Sequence, residues 1–245
     1  MTISPSAKVS RERLVNAFPG AISLQDGEID ALSRCGDLPD HWGGARINKV
    51  SGDCAAVGGG CSTAFAAKRN STGEIGMASA GHCRTAQAWS GTVFSNTAYY
   101  GEFWTWAFNH GTDDWAWIKK STYARKVYHD PYTPTSLTVT GVRGAALGDF
   151  LCTSGATTLT VCSGVVVSVG PVTYSSGETV TVIGIKRNDN AVMCRKGDSG
   201  GAVYYVKPDQ TAEARGIISG GDGGVYCYAY PIMNFQSAGY TVVTA

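Results

Sequence analysis

The sequence predicts an all-β protein, and three observations support this fold class. From about residue 61 onward, short runs of alternating or β-branched residues are separated by Gly, Asn, Asp, Ser and Pro. Patterns typical of helices barely occur in the same region. Glycine, which suits tight turns, accounts for 32 of the 245 residues, well above the usual ~7%. We therefore expect a β-sandwich or a pair of closed barrels.

The predicted strands fall into two halves of similar size. The stretch from Tyr123 to Ser136 contains Pro131 and Pro134, so we expect it to connect a first half, about 45–125, with a second, about 137–245. A turn at 70–73 separates the first two strands. The clearest strands run from Cys61 to Ala67, Glu74 to Ala80, Leu137 to Val142, Leu159 to Val169, Thr179 to Ile185 and Ala202 to Val206.

The charge pattern excludes some functions and marks the N-terminus. With 20 basic and 19 acidic residues the net charge is +1, which argues against binding nucleic acid by charge alone. No apolar run is long enough to span a membrane. Residues 1–41 carry four basic and six acidic residues, a local net charge of −2. We expect 1–41 to be an N-terminal extension and 42–245 to be the folded domain.

The cysteines indicate the compartment. The chain has eight of them and no C-x-x-C pair, so a zinc ribbon or a redox site is disfavoured, and we expect neither metal nor cofactor. Four disulfides would imply an oxidising compartment and therefore a secreted, extracellular protein. The first thirty residues contain no apolar stretch of signal-peptide length, so we expect that a signal was removed.

The motif G-D-S-G-G at 197–201 predicts a nucleophilic serine. A Ser between glycines combines a reactive hydroxyl with backbone N–H groups that can bind an oxyanion. The same letters fit a nucleophile elbow, but there the base His follows the Ser, whereas all four histidines here precede Ser199. A strand pattern at 202–206 also follows, where an elbow requires a helix. The remaining order is His, Asp, Ser.

The base and its orienting carboxylate follow from this order. His82 ends a predicted strand beside Cys83, and a disulfide there would fix its position. The other histidines, His41, His110 and His129, lie in polar stretches and are expected to be solvent-exposed loop residues. Asp113 and Asp114 both lie between His82 and Ser199, and Asp114 is preferred because it directly precedes an apolar run.

Four motifs together resemble the chymotrypsin-fold serine proteases, in particular the bacterial secreted branch of streptogrisins and α-lytic protease. They are S-A-G-H-C at 79–83, D-W-A-W-I at 114–118, G-D-S-G-G at 197–201 and I-S-G-G at 218–221. This resemblance implies two six-stranded antiparallel β-barrels with the active site in the cleft between them. It also implies that His82 is the general base, Asp114 its orienter and Ser199 the nucleophile.

The resemblance assigns further residues. The N–H groups of Gly197 and Ser199 would form the oxyanion hole, and Ser219, Gly220 and Gly221 the wall along which a substrate strand pairs. The family's disulfides carry over as Cys61–Cys83, Cys152–Cys162 and Cys194–Cys227, which leaves Cys35 and Cys54 to pair with each other. Residues 1–41 would be a zymogen's pro-region remnant or a linker.

Two departures from the family leave questions open. Bacterial relatives carry an Arg soon after the first Cys of the second barrel, whereas Thr153 follows Cys152, so the partner of Asp198 is open. The Arg46-Ile47 bond resembles an activation bond that would supply an α-amino partner, but the Val-Gly-Gly that normally follows such an Ile is absent.

Specificity is predicted from the residue six positions before the nucleophile. Trypsin-like members have an Asp there, whereas this chain has Met193, so large apolar or aromatic substrate side chains are expected. Gly220 and Gly221 have no side chains, so we expect the mouth of the pocket to admit a bulky group. Asp222 is the rival, because it could reach a cationic side chain. Arg195 and Lys196 could contact acidic substrate residues or be solvated. The pairs Trp104/Trp106 and Trp115/Trp117 each share a strand face, which favours barrel packing over a carbohydrate surface.

These features predict a secreted serine endopeptidase that acts as a monomer on protein or peptide substrates, without nucleic-acid or membrane partners. The alternative is a non-catalytic binding protein on the same fold. Inactive relatives usually lose the His or the Ser, and this chain keeps both.

Overall fold

A computed structural model describes residues 34–52, 60–86, 91–108, 112–129, 136–222 and 225–245. The described residues belong to one compact unit, Arg34–Ala245. They form seventeen strands and two short helices, so the all-β prediction is confirmed. None of the helices among them is long and apolar enough to cross a bilayer.

The described residues of the first half form nine strands and one helix. They are β1 (His41–Gly43), β2 (Arg46–Ile47), β3 (Cys61–Ser62), β4 (Ala66–Arg69), β5 (Ile75–Ser79), α1 (Gly81–Ala86), β6 (Thr92–Ser95), β7 (Ala98–Phe108), β8 (Asp114–Lys119) and β9 (Tyr123–Tyr128). The second half contains β10 (Ser136–Val142), β11 (Phe150–Gly155), β12 (Leu159–Thr173), β13 (Thr179–Arg187), β14 (Ala202–Val206), β15 (Ala212–Gly221), β16 (Tyr226–Pro231), α2 (Ile232–Ser237) and β17 (Tyr240–Val242).

Six strands of the second half close into a ring. The antiparallel pairs run β11–β12, β12–β13, β13–β16, β16–β15, β15–β14 and β14–β11, so the last pair returns to the first strand. Closure leaves these six strands without a free edge. Ile183, Ile185, Val203 and Ile218 fill the interior of this second barrel.

The order of strands around the first barrel is β2, β3, β4, β5, β8, β7 and β6. Strand β3 continues along the chain into β4, and the other neighbours in this order are hydrogen-bonded. A single antiparallel bridge between Asn48 and Phe94 links the β2 end to β6 and completes the circuit. Met77, Tyr100, Trp117 and Ile118 are among its fully buried side chains. The C-terminal strand β17 pairs with β4, so the end of the chain lies on the first barrel.

The connection between the halves contains more structure than the sequence indicated. Residues Tyr123–Tyr128, expected as an irregular link, form β9, which pairs with β10 and in parallel with β1. β10 in turn pairs in parallel with β15. The remainder of the link, at 130–135, lies outside the described residues.

Arg34, Asp37 and His41 anchor the segment 34–41 in the compact unit by burial, whereas residues 38–40 are exposed. The Arg34 guanidinium is buried, donates to the Thr160 hydroxyl over 2.8 Å and also contacts the Ser154 hydroxyl. Gly44 makes this possible, because a Cβ at Gly44 would lie 2.5 Å from the Arg34 guanidinium nitrogen. Residues 1–33 lie outside the described part of the chain.

The prediction that His41 is a solvent-exposed loop residue is wrong. Its ring is fully buried, with Nδ1 2.9 Å from Asp37 Oδ2 and Nε2 3.2 Å from the Tyr99 carbonyl oxygen. It stacks on Tyr100 with ring centroids 4.1 Å apart. Each ring nitrogen thus lies within hydrogen-bond distance of a protein oxygen, a carboxylate on one side and a backbone carbonyl on the other. His129 is partly buried against the Tyr204 hydroxyl, and His110 lies outside the described residues.

Three of the four expected disulfides are present: Cys61–Cys83, Cys152–Cys162 and Cys194–Cys227. The fourth expected pair includes Cys54, which lies outside the described residues.

The tryptophan pairs differ from one another. Trp117 is fully buried and its indole N–H donates to the Ala67 carbonyl over 3.0 Å, as barrel packing requires. Trp104 and Trp106 are instead exposed on β7, where Lys119 and Arg84 lie over their rings at 3.7 Å and 4.7 Å from the centroids. Packing therefore explains Trp117 but not Trp104 or Trp106.

Candidate active site

His82 lies in the first turn of α1, directly after β5. Gly81 allows this close approach, because a Cβ there would lie 2.1 Å from the Ala107 carbonyl oxygen and 2.8 Å from that of Trp115. The Cys61–Cys83 disulfide ties the same turn to β3. The His82 side chain is 20% exposed, so it remains accessible from the cleft.

Asp114, the first residue of β8, holds His82 in a defined orientation. His82 Nδ1 lies 2.9 Å from Oδ2 and 3.1 Å from Oδ1 of the carboxylate, and the His82 backbone N–H donates to Oδ1 over 2.9 Å. An ionised carboxylate only accepts hydrogen bonds, so Nδ1 carries the proton and Nε2 of the neutral ring is left as a proton acceptor.

The environment shifts the pKa of His82 upward. Burial on its own lowers the pKa of the imidazole, but the negative charge of Asp114 and its hydrogen bond outweigh burial. The pKa therefore lies above the usual value of 6.5.

Asp114 is held by a further chain of hydroxyl groups. The Ser219 hydroxyl donates to Asp114 Oδ2, and the Tyr174 hydroxyl donates to Ser219 Oγ over 2.6 Å. The neighbouring Asp113 instead accepts a hydrogen bond from the Tyr230 hydroxyl. Of the two carboxylates that the sequence offered, the structure brings Asp114 to His82.

Ser199 lies on a tight loop that enters β14. Its carbonyl oxygen accepts the N–H of Ser62 over 2.7 Å, and Gly200 N–H donates to the Ile218 carbonyl over 2.7 Å. Gly200 has a φ of +85°, and a Cβ there would lie 2.3 Å from both the Ser62 carbonyl oxygen and Ser79 Oγ. Only glycine fits this position between the barrels.

The hydrogen-bond donors to the Asp198 carboxylate come from the β11–β12 turn and from the backbone of Arg195, rather than from an arginine side chain or a chain terminus. Oδ1 accepts the backbone N–H groups of Thr157 and Thr158 at 2.7 Å and 3.0 Å. Oδ2 accepts the Thr158 hydroxyl and the Arg195 N–H, each at 2.7 Å. Burial raises the pKa of Asp198, and these hydrogen bonds oppose the shift.

These contacts argue against a requirement for cleavage of the Arg46-Ile47 bond. Asp198 is fully buried and accepts four hydrogen bonds, so its carboxylate needs no α-amino group. Arg46 and Ile47 are themselves buried in β2, paired with β3. A protease would have to open the first barrel to reach this bond.

A cleft of about 580 Å³ brings most of the expected site residues together. Its lining comprises His82, Phe108, Tyr174, Ser175, Ser176, Glu178, Cys194, Arg195, Lys196, Ser199, Ser219, Gly220 and Gly221. Lys196, Ser219, Gly220 and Gly221 thus lie where the sequence suggested. The structure also adds Phe108, Tyr174 and Glu178, which no motif marked.

Two residues considered for specificity lie elsewhere. Met193 is fully buried in the core of the second barrel, and its carbonyl oxygen accepts the Thr153 hydroxyl over 2.8 Å. A Cβ at Gly164 would lie 3.1 Å from the Met193 sulfur, so this side chain fills the space over Gly164 rather than the cleft. Asp222 is exposed and accepts the Tyr226 N–H over 3.0 Å.

The space beside the two wall glycines, Gly220 and Gly221, is occupied. A Cβ at Gly220 would lie 3.1 Å from the Tyr174 ring, and one at Gly221 would lie 2.7 Å from the Tyr226 carbonyl oxygen and 3.3 Å from Cys194 Sγ. The expectation that missing side chains widen the mouth is therefore corrected. Here glycine lets an aromatic ring and a disulfide approach the wall.

Cys61, His82 and Cys83 are the group of potential metal ligands found among the described residues. Both sulfurs belong to a disulfide, and a disulfide offers no thiolate to a metal ion. This cluster does not fit a metal site.

Comparison with known proteins agrees with this architecture. No family model matches the chain. A glutamic acid specific serine protease that uses a histidine triad in substrate binding is 26% identical with a TM-score of 0.64, over 82% of this chain and 100% of that one. Nocardiopsis protease is 26% identical with a TM-score of 0.63, over 83% and 98%. Thermobifida fusca protease A is 29% identical with a TM-score of 0.61, again over 83% and 98%. The chain has the chymotrypsin-like double-barrel fold and is similar in structure to these bacterial serine proteases.

Proposed function

We propose that the protein hydrolyses peptide bonds through an acyl-enzyme, with Ser199 as nucleophile, His82 as general base and Asp114 as the carboxylate that orients His82. The observation that carries this proposal is the His82–Asp114 pair, which leaves Nε2 as the proton acceptor in the cleft that Ser199 also lines.

The reaction follows from these positions. Ser199 Oγ attacks the substrate carbonyl carbon while its proton passes to His82 Nε2. The carbonyl π-electrons move to oxygen, and the N–H groups of Gly197 and Ser199 stabilise the resulting oxyanion. His82 then protonates the leaving amine, the C–N bond breaks, and water repeats the sequence on the ester.

An extended substrate would pair with the end of β15 at Ser219, Gly220 and Gly221. We propose cleavage after large apolar or aromatic residues. The Tyr174 ring and Cys194 line the cleft beside this wall and favour apolar side chains. The glutamic acid specific neighbour binds substrate with a histidine triad, whereas His82 is the sole histidine among the described cleft residues.

The proposal extends to the setting of the enzyme. Disulfide bonds support secretion into an oxidising, extracellular environment, where the protein would act as a monomer on proteins or peptides. We propose that the N-terminal extension ends before Arg34 rather than at residue 41, because Arg34, Asp37 and His41 are buried in the compact unit. N-terminal sequencing of the active enzyme tests this boundary.

Labelling with a fluorophosphonate probe tests the assignment of the nucleophile. The wild-type protein should be labelled on one peptide containing Ser199, and Ser199→Ala should remove the label without changing the melting temperature. Labelling of another serine would overturn the assignment of Ser199 as nucleophile, and labelling of none would favour the alternative of a non-catalytic binding protein on this fold.

A further inference from the structure

The N–H of Gly197 belongs to the peptide group between Lys196 and Gly197. Little in the local backbone prevents this peptide group from rotating. Gly197 has a φ of +99°, a region that glycine enters freely. Rotation of a peptide group changes ψ of the preceding residue and φ of the following one. Because residue 197 is glycine, the rotation meets little steric resistance, and it would turn the Lys196 carbonyl oxygen to where the N–H had been.

The carbonyl end of this peptide group is tethered. Lys196 O accepts a hydrogen bond of 3.1 Å from the Thr157 hydroxyl. In a planar trans peptide the C=O and N–H point in opposite directions. A tether on the carbonyl therefore fixes the direction of the Gly197 N–H. Within the part of the chain that the structure describes, that N–H donates to no protein group, so it is free for a ligand oxygen.

The second donor has its own tether. The Ser199 N–H belongs to the Asp198–Ser199 peptide group, and the Asp198 carbonyl oxygen accepts the Gly201 N–H over 2.8 Å. This bond joins backbone groups and does not depend on any side chain. Of the two carbonyl tethers, the one on Lys196 alone comes from a side chain.

Thr157 is placed rigidly enough to act as a tether. Its own N–H donates to Asp198 Oδ1 over 2.7 Å, and the preceding Ala156 N–H donates to Ser62 Oγ over 2.9 Å. The neighbouring Gly155 packs so closely that a Cβ would lie 2.4 Å from Asp198 Oδ1. The turn is therefore anchored to both barrels independently of the threonine hydroxyl.

We propose that Thr157 is a positioning residue for catalysis: its hydroxyl holds the Lys196 carbonyl and thereby keeps the Gly197 N–H directed at the oxyanion of the reacting substrate. This inference rests on the proposed peptidase function. It concerns only the transition state, because the ground-state carbonyl engages the donors less strongly than the oxyanion does.

The test compares Thr157→Val, which keeps the shape but loses the hydroxyl, with Thr157→Ser, which retains it. Thr157→Ala serves as a second hydroxyl-free variant. Thr241→Val, on β17, is the matched control, since it removes an exposed hydroxyl that donates a hydrogen bond to Asn70 Oδ1. For each variant, kcat and KM are measured on one peptide p-nitroanilide, together with the inhibition constant of a peptidyl aldehyde, whose hemiacetal oxygen occupies the oxyanion position.

We expect Thr157→Val and Thr157→Ala to lower kcat about fivefold and to weaken aldehyde inhibition by the same factor, the effect of losing one hydrogen bond. KM and the melting temperature should stay near wild type, and Thr157→Ser should recover most of the loss. Equal kcat and inhibition in wild type and the hydroxyl-free variants would overturn the proposal, as would an equal loss in Thr157→Ser. If wild type cleaved no peptide at all, the proposed function itself would fail and the inference with it.

Discussion

The hydroxyl of Ser62, in the first barrel, donates a hydrogen bond of 2.8 Å to the carbonyl oxygen of Gly197, in the second. The same hydroxyl accepts the Ala156 N–H, and the Ser62 backbone N–H donates to the Ser199 carbonyl. One fully buried residue thus joins the nucleophile loop and the turn beside it to the opposite barrel.

Ser62→Ala should therefore cost both stability and activity. It leaves a buried carbonyl and a buried N–H without their partner, which typically costs about 1–3 kcal/mol of unfolding free energy. Urea unfolding measures this loss, and kcat/KM should fall with it because the loop of Gly197 loses its anchor. Ser237→Ala, at an exposed hydroxyl on α2, is the control. Equal stability of Ser62→Ala and wild type would contradict this account.

The triad residues should differ in a predictable order. Ser199→Ala and His82→Ala should each reduce peptide hydrolysis by several orders of magnitude with folding retained. Asp114→Asn should lower kcat about 10⁴-fold, because an amide cannot hold the same imidazole tautomer. Asp113→Asn should be mild, since the amide oxygen can still accept the Tyr230 hydroxyl. A larger loss in Asp113→Asn than in Asp114→Asn would reverse the assignment.

The pH dependence should reflect the raised pKa of His82. Only the neutral imidazole accepts the Ser199 proton, so kcat/KM should increase with pH through the pKa of the free enzyme. Because Asp114 raises that pKa, the midpoint should lie above 6.5. A midpoint below 6.5 in the pH profile of kcat/KM would mean that burial, rather than Asp114, dominates.

Thr158→Val should destabilise the protein more at neutral than at acidic pH. The Thr158 hydroxyl donates to the buried Asp198 carboxylate, and such a bond stabilises the ionised form. Burial already raises the pKa of Asp198, so the folded state loses stability as pH rises through that pKa. Removing the hydroxyl raises the pKa further and steepens this loss. Urea unfolding at about pH 3 and about pH 7 measures the difference, and an equal effect at both would contradict it.

Substrate preference should favour large apolar residues before the scissile bond. A panel of peptide substrates that differ only at this residue should show faster cleavage after Phe, Tyr or Leu, since burial of such a side chain contributes about 1.5–3 kcal/mol. Faster cleavage after Arg or Lys would point to Glu178, which lines the cleft. Faster cleavage after Glu would assign substrate contact to the rim cations Arg195 and Lys196.

Local sequence patterns predicted the elements well. The segment Ala202–Val206 matches its predicted strand, and Thr179–Arg187 begins where the pattern placed it. The predicted strand from Cys61 to Ala67 is divided into β3 and β4, because Cys61–Ser62 pairs with β2 while Ala66 begins the pairing with β5. Alternation reports that a segment is extended but not which neighbour it pairs with.

Residues of the candidate site could be predicted only where a sequence motif marked them. His82, Asp114 and Ser199 follow from chain order, whereas Thr157 and Thr158 look like any polar turn. Their contacts are with Lys196 and Asp198, which lie 39 and 40 residues further along the chain. The wall glycines misled for the same reason. A missing side chain gives no information about which ring or disulfide fills the space across the fold.

The pairing of β17 with β4 couples the unfolding of the two barrels. Strand β17 pairs with β4 at the edge of a sheet in the first barrel, while β11–β16 of the second half close their own ring. Tyr240, on that strand, stacks on Phe235 of α2 and contacts Trp115, the residue after Asp114. Neither barrel can melt without removing a piece of the other, so heat should unfold residues 34–245 in a single cooperative transition, with equal calorimetric and van't Hoff enthalpies. Separately expressed halves should each lack part of the hydrophobic interior and fail to reach a native state.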